Sequence, residues 1–341
     1  MIRPSLTSLS VALTFASSLV PVTAGANLAR CQTTGPNRRC RDTTGCGQTP
    51  SVKAGEFKDY TTPEGREYRV WLPASYDAKK STPLILSYHG AGGTKERQME
   101  LDELTTPLFN TDHIMVYLQG TADDPDDPTH TTWEGAPGSE SNDISFTHDV
   151  LDLVSTDLCV DPKRIYATGK SQGGGFVGRL ACDSGLSTRI AAFAPVSGAY
   201  YIKEINKEED CHPETVVVPC KPGRKDIPIK AFHGGADKTI KYLGDFRSGA
   251  CLPAVSNWAK QWAARDGLSE TPVNSTIADS DNGVTMSYGG ENGLVTLVYD
   301  GDDIGHVWPS KAENLDNKGV NLAAFNASRV IMDFFKGHKL P

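Results

Sequence analysis

Three residues at separated points of this chain could together move an acyl group. Ser171 stands in Gly169-Lys170-Ser171-Gln172-Gly173, directly after the apolar run 164–168 and before the helix-like stretch 176–182. A Gly-x-Ser-x-Gly pentapeptide between a strand and a helix marks a turn tight enough to push a hydroxyl clear of the sheet. Its glycines matter because a Cβ at either flank would meet neighbouring backbone. The plainer alternative is a glycine-rich turn that happens to hold a serine. A serine hydroxyl is a poor nucleophile until a base takes its proton, and the base must be oriented by a third group. Asp237, in His233-Gly234-Gly235-Ala236-Asp237, follows an apolar strand-like run and is the expected orienting carboxylate. His306, in Gly305-His306-Val307-Trp308-Pro309, follows the next such run and is the expected general base. Asp226 precedes its strand and would fall at the wrong edge, and Asp245 is the reserve acid.

An acyl transfer also needs N–H donors aimed at the developing oxyanion. One normally comes from the residue after the nucleophile, here Gln172. A second comes from the glycine-rich turn Tyr88-His89-Gly90-Ala91-Gly92-Gly93-Thr94, where the Ala91 N–H is the first choice and Gly90 or Gly92 the alternatives.

Such a site must be held by a sheet edge. Residues 66–72 alternate polar and apolar, as a strand with one wet face does. The runs 83–88, 114–118, 165–168, 190–196, 227–232 and 294–299 are continuously apolar, the pattern of strands buried on both faces. Helical spacing predicts helices over 147–158, capped by Ser145 or Thr147, and over 176–182, 254–264 and 319–335. Strands alternating with helices predict an α/β fold with a mostly parallel central sheet covered on both faces. Ser171, Asp237 and His306 then all fall at the carboxyl edge, where open α/β sheets bind their ligands.

The flanking sequence places the protein in a cell. Met1-Ile2-Arg3, the mostly apolar stretch 6–20 and the small residues after it read as a secretory signal peptide, residues 1–24 with cleavage as late as 26. Residues 25–53 form an irregular cysteine-rich segment, and 54–341 a single catalytic domain with a cysteine-bounded insertion near 201–226. A net charge of −8 argues against nucleic-acid or anionic-membrane partners. Eight cysteines in an exported chain suggest disulfides. Cys211 and Cys220 are expected to close a local loop, with Cys31, Cys40 and Cys46 stapling the N-terminal segment to the body. The cysteine spacing fits no zinc site. Asn274-Ser275-Thr276 and Asn326-Ala327-Ser328 are N-glycosylation sequons. The loop Asp123-Asp124-Pro125-Asp126-Asp127-Pro128 reads as a solvated turn rather than a calcium site.

The run Asp161-Pro162-Lys163-Arg164-Ile165-Tyr166-Ala167-Thr168-Gly169-Lys170-Ser171-Gln172-Gly173-Gly174, with the turn 88–93, the His233–Asp237 motif and the Gly305–Pro309 motif, resembles secreted family-1 carbohydrate esterases and polyhydroxybutyrate-depolymerase-like esterases, fungal feruloyl esterases most of all. The resemblance covers residues 66–335. It implies an α/β-hydrolase fold and hydrolysis of ferulate or related hydroxycinnamate esters on arabinoxylan or pectin, with Ser171, Asp237 and His306 as the triad. It implies neither cofactor nor metal, and no obligate protein partner is evident. Acetylxylan esterase and polyester depolymerase are alternatives, since their signatures are the same; an inert hydrolase-fold binding protein and a peptidase are more remote. A flat phenolic acyl group would favour aromatic walls. Trp133, Tyr200, Tyr201 and Trp308 are candidates for them, or are loop aromatics that merely hold their loops in place.

Overall fold

A computed structural model describes residues 44–122, 126–127 and 129–341, all within one compact unit. The signal-peptide reading, Cys31, Cys40 and part of the acidic Asp-Pro loop lie outside the described residues.

In chain order the strands are β1 (Phe57–Thr61), β2 (Glu67–Trp71), β3 (Thr82–Tyr88), β4 (Ile114–Leu118), β5 (Thr121–Ala122), β6 (Thr131–Thr132), β7 (Val160–Lys170), β8 (Ala192–Val196), β9 (Ile229–His233), β10 (Asp245–Arg247), β11 (Ala250–Leu252), β12 (Val273–Thr276), β13 (Val284–Tyr288) and β14 (Val295–Tyr299). The helices are α1 (Lys95–Asp102), α2 (Asp143–Asp157), α3 (Gln172–Cys182), α4 (Val255–Arg265) and α5 (Ala327–Lys336). One ten-stranded sheet runs β1-β2-β4-β3-β7-β8-β9-β14-β13-β12. Its centre, from β4 to β14, is parallel, and antiparallel strands extend both edges. β5–β6 and β10–β11 form small separate hairpins.

The continuously apolar runs are buried on both faces, as expected. Leu84, Leu86 and Tyr88 of β3 face one core with α2, α3 and α4, whereas Ile85 faces the other with α1 and α5. The chain goes from β3 to β4 on one side and later returns to β7 on the other. That reversal opens a crevice at the carboxyl ends of β3 and β7, where the glycine-rich turn and Ser171 stand.

Several boundaries differ from the sequence reading. α2 starts at Asp143 and is capped by Asn142, whose side chain accepts the Ser145 N–H; Thr147 lies inside the helix, donating to the Asp143 carbonyl. α5 begins only at Ala327, because the preceding residues are held in turns by Asn314 and Asn317 and Gly319 takes a positive φ of 75°. The antiparallel edge strands β12 and β13, and helix α1, were not anticipated.

The cysteine expectation is corrected. Cys211 pairs with Cys251 and Cys182 with Cys220, so no Cys211–Cys220 loop exists. The insertion is instead tied outward, to the end of α3 and to β11. Cys46 bonds Cys159 and does staple the entry segment to the body, just ahead of β7.

Candidate active site

The turn after β7 takes the expected strained form. Ser171 sits at φ 57° and ψ −120°, a left-handed backbone that a residue with a Cβ seldom adopts. It is held there by its N–H on the Val196 carbonyl (2.9 Å) and by its own carbonyl, which accepts from Gly175 and Ala199 (both 2.9 Å). The glycines are sterically required. A Cβ on Gly169 would lie 2.8 Å from the Tyr88 carbonyl oxygen, and one on Gly173 only 2.3 Å from it. Ser171 then caps α3, whose positive dipole end faces the site.

Asp237 and His306 come together from the loops after β9 and β14. His306 Nδ1 lies 2.7 Å from Asp237 Oδ2, and the Asp237 side chain is wholly buried. Asp237 Oδ1 accepts the N–H groups of Thr239 and Ile240 (both 2.8 Å), and His233 Nε2 stands 3.3 Å from Oδ2. Burial alone would raise the Asp237 pKa, but hydrogen bonds from His233 and His306 outweigh it and hold the carboxyl well below the usual range. It is an anion at neutral pH. Burial lowers the His306 pKa, opposed by the Asp237 hydrogen bond and helped by the Lys170 ammonium. The imidazole is therefore neutral near pH 7. Its Nδ1 carries the proton given to Asp237, which leaves Nε2 unprotonated and able to act as a base.

The loop bearing His306 is fastened to the strand ends beside Ser171. Ser197 Oγ donates to the Val307 carbonyl (3.1 Å), and Ser197 directly follows Val196, which anchors the Ser171 N–H. Lys170 Nζ, from the residue before Ser171, pairs with Asp316 (2.8 Å), whose Oδ2 also accepts the Trp308 N–H (3.2 Å).

The glycine-rich turn lies against Ser171. A Cβ on Gly90 would sit 3.3 Å from the Ser171 Cβ. The Gly92 N–H is engaged by the Thr131 carbonyl (2.7 Å) and the Gly93 N–H by the Gly90 carbonyl (3.0 Å). That removes Gly92 from the candidate donors and leaves Ala91 and Gly90. His89 braces the turn from below. Its Nδ1 donates to the Gly90 carbonyl (2.7 Å), and its Nε2 accepts the Gly120 N–H (2.9 Å). Burial pushes its pKa down to about 4, so it is neutral.

A cavity of about 500 Å³ opens beside α3. Tyr200 and Tyr201 line it, Tyr200 stacked on Trp258 at 4.0 Å. Gln172, Phe176 and the Cys182–Cys220 cross-link add further wall. The other two tryptophan candidates are corrected, for both are core residues only 1% exposed. Trp133 donates to the His89 carbonyl (2.7 Å) and packs on Tyr88 and Phe176, and Trp308 donates to Ser328 Oγ (2.9 Å). They support the site from beneath. Sequence reasoning missed Glu134 and Arg179, an ion-paired couple (3.1 Å) on the cavity wall. It also gave no role to Asp143, which is buried and bonds Arg66 (2.6 Å), the Glu134 N–H (2.6 Å) and Ser141 Oγ (2.6 Å), fixing the loop that carries Glu134.

Of the sequon asparagines, Asn274 lies exposed on β12. Asn326 is half-buried before α5, its Oδ1 accepting the Lys311 N–H (2.8 Å).

No protein-family model matches the chain. The acetyl xylan esterase of Aspergillus awamori superposes with a TM-score of 0.55 at 14% identity, covering 75% of this chain and 96% of that one. The fold is therefore that of the α/β-hydrolases. Within that class the chain is similar in sequence to fungal feruloyl esterases. It is 28% identical to feruloyl esterase B of Piromyces equi over 217 residues, 62% of this chain but 37% of that protein. It is 25% identical to feruloyl esterase D of Neurospora crassa over 62% of this chain and 69% of the relative. With feruloyl esterase C of Emericella nidulans it shares 26% identity over 75% and 82% of the two chains.

Proposed function

We propose that this protein is a secreted serine esterase that hydrolyses feruloyl and related hydroxycinnamoyl esters on plant cell-wall polysaccharides such as arabinoxylan. The observation that carries the chemistry is the buried Asp237 taking His306 Nδ1 at 2.7 Å, at the same sheet edge as the strained Ser171 turn. In this reading Ser171 Oγ attacks the ester carbonyl carbon while His306 Nε2 takes its proton. The tetrahedral oxyanion is received by the N–H groups of Gln172 and Ala91. Collapse breaks the bond to the sugar oxygen, which leaves with the proton from His306. Water, deprotonated by the same nitrogen, then cleaves the acyl-serine and releases the acid. Asp237 stays ionised throughout and stabilises the imidazolium.

Relatedness to feruloyl esterases supports the acyl assignment, as does a cavity large enough for an aromatic acid and walled by Phe176, Tyr200 and Tyr201. Export is supported by the leader-like N-terminus and by disulfides among the described residues. Initial rates on methyl ferulate, acetylated xylan and a short polyhydroxyalkanoate test the acyl assignment: cleavage of the acetyl ester without methyl ferulate would refute it. Full activity in Ser171→Ala, or resistance of the wild type to a serine-directed phosphonate, would refute the mechanism.

A further inference from the structure

A second concavity, of about 760 Å³, lies apart from the Gln172 cavity at the far edge of the sheet. One wall is the loop that carries the triad acid, residues 235–243; the other is the end of the sheet, with Asn274, Val284, Met286 and Tyr299. The register explains this wall. Asn274 pairs with Met286 and Val284 with Tyr299, and residues two apart along a strand share a face, so all four project to one side. It is the side that α4 covers over Leu297 and Val295. At the groove that side is unroofed: Leu243 is 66% exposed. Among the described residues β12 is also the terminal strand of the sheet, with β13 as its one neighbour and its other edge unpaired.

An apolar groove beside an open, exposed edge strand invites association with other chains. The sequence supplies a specific cover, because Asn274 on the groove wall is the acceptor of Asn274-Ser275-Thr276. We propose that Asn274 carries an N-linked glycan whose first sugars lie in this groove. There the C–H faces of the sugars meet Tyr242, Tyr299 and Met286, while their hydroxyls remain in solvent. The glycan links edge strand β12 to the Asp237 loop and blocks strand addition at β12. Asn326 of the second sequon is half-buried, its Oδ1 accepting the Lys311 N–H. The inference rests on passage through a eukaryotic secretory pathway and not on the acyl group the enzyme cleaves.

The full chain is secreted from a eukaryotic host behind the host's own leader, so native export is not at stake. Wild type is compared with Asn274→Gln, with Thr276→Ala, which keeps the asparagine, and with wild type deglycosylated after folding. Peptide mapping is expected to find hexosamine on Asn274. All three glycan-free forms are expected to cleave esters normally, to bind more of an apolar-surface dye and to melt about 2 °C or more lower. Deglycosylation after folding decides the matter if either variant fails to fold. An unmodified Asn274 in the secreted protein would overturn the proposal. So would a glycosylated Asn274 whose removal changes neither dye binding nor melting, or a glycosylated protein that still binds xylo-oligosaccharide in the groove.

Discussion

His89 offers the sharpest test of how the site is held. It is buried, takes the Gly120 N–H on Nε2 and gives its Nδ1 proton to the Gly90 carbonyl, and its ring fills the space against Gly93, Gly120 and Trp133. His89→Ala leaves the Gly120 N–H without its acceptor, a cost of about 1–3 kcal/mol before the lost ring packing is counted. The Gly90–Ala91 strap loses its brace, so turnover should fall by up to about 10²–10³, the effect of losing one oxyanion donor. A second consequence is specific to the imidazole. Burial pushes the His89 pKa down to about 4, from an ordinary 6.5. Above pH 6.5 His89 is neutral folded or unfolded and stability is unaffected. As pH falls from 6.5 toward 4 the unfolded chain takes up a proton that the folded chain refuses, and stability drains away. Below 4 the loss is complete, at roughly 3 kcal/mol. Urea unfolding of both proteins at pH 7 and pH 4, followed by tryptophan fluorescence, isolates this contribution, because every other titrating group is common to the two. The drop from pH 7 to pH 4 should be smaller in the variant by roughly 3 kcal/mol. Equal drops would refute the buried neutral imidazole, and unchanged turnover in a folded variant would refute the bracing role.

Asp237→Asn should keep the fold and lower kcat about 10⁴-fold with little change in KM, since the wrong imidazole tautomer is then favoured; steady-state kinetics on a chromogenic ester checks this. Because the His306 pKa is depressed, the acid limb of kcat/KM should fall below pH 6.5, and a midpoint above 6.5 would contradict its buried setting. Gly173→Ala would place a Cβ 2.3 Å from the Tyr88 carbonyl oxygen and should cost about 3 kcal/mol or more by urea unfolding. Removing the Cys182–Cys220 bond by serine substitution at both ends frees a loop with a separation of 38 residues. It should lower stability by roughly 4 kcal/mol on the chain-entropy model and loosen a wall of the Gln172 cavity, visible as a raised KM for methyl ferulate.

What could be read ahead of the structure follows from the range of the forces involved. The central strands were legible because burial on both faces leaves unbroken apolar runs, as in β3 and β4. The meeting of Asp237 and His306 was legible because chain order and strand ends restrict where an acid and a base can lie. β12 was not, since Val273-Asn274-Ser275-Thr276 is exposed throughout and forms no apolar run, and the short alternation Val284-Thr285-Met286-Ser287-Tyr288 of β13 lies between turn-rich stretches. Trp133 and Trp308 illustrate a different limit. Near the catalytic motifs in sequence, they resembled pocket walls, but whether an indole faces a cavity or a core depends on partners such as Ser328, twenty residues away. The cysteine pairing was illegible for the same reason, since proximity along the chain says little about proximity across a packed insertion.

That pairing bears on how the molecule is made. In chain order Cys182, Cys211, Cys220 and Cys251 bond first to third and second to fourth, so the two loops interlace. A chain threaded into an oxidising compartment from its N-terminus presents Cys182 and Cys211 together before either true partner has emerged. Among these four the earliest bond available is thus a wrong one, and once formed it must be undone by thiol exchange before the native pattern is reached. A production host without disulfide isomerase should accumulate a misoxidised protein in which the wall of the Gln172 cavity is the part left unbuilt.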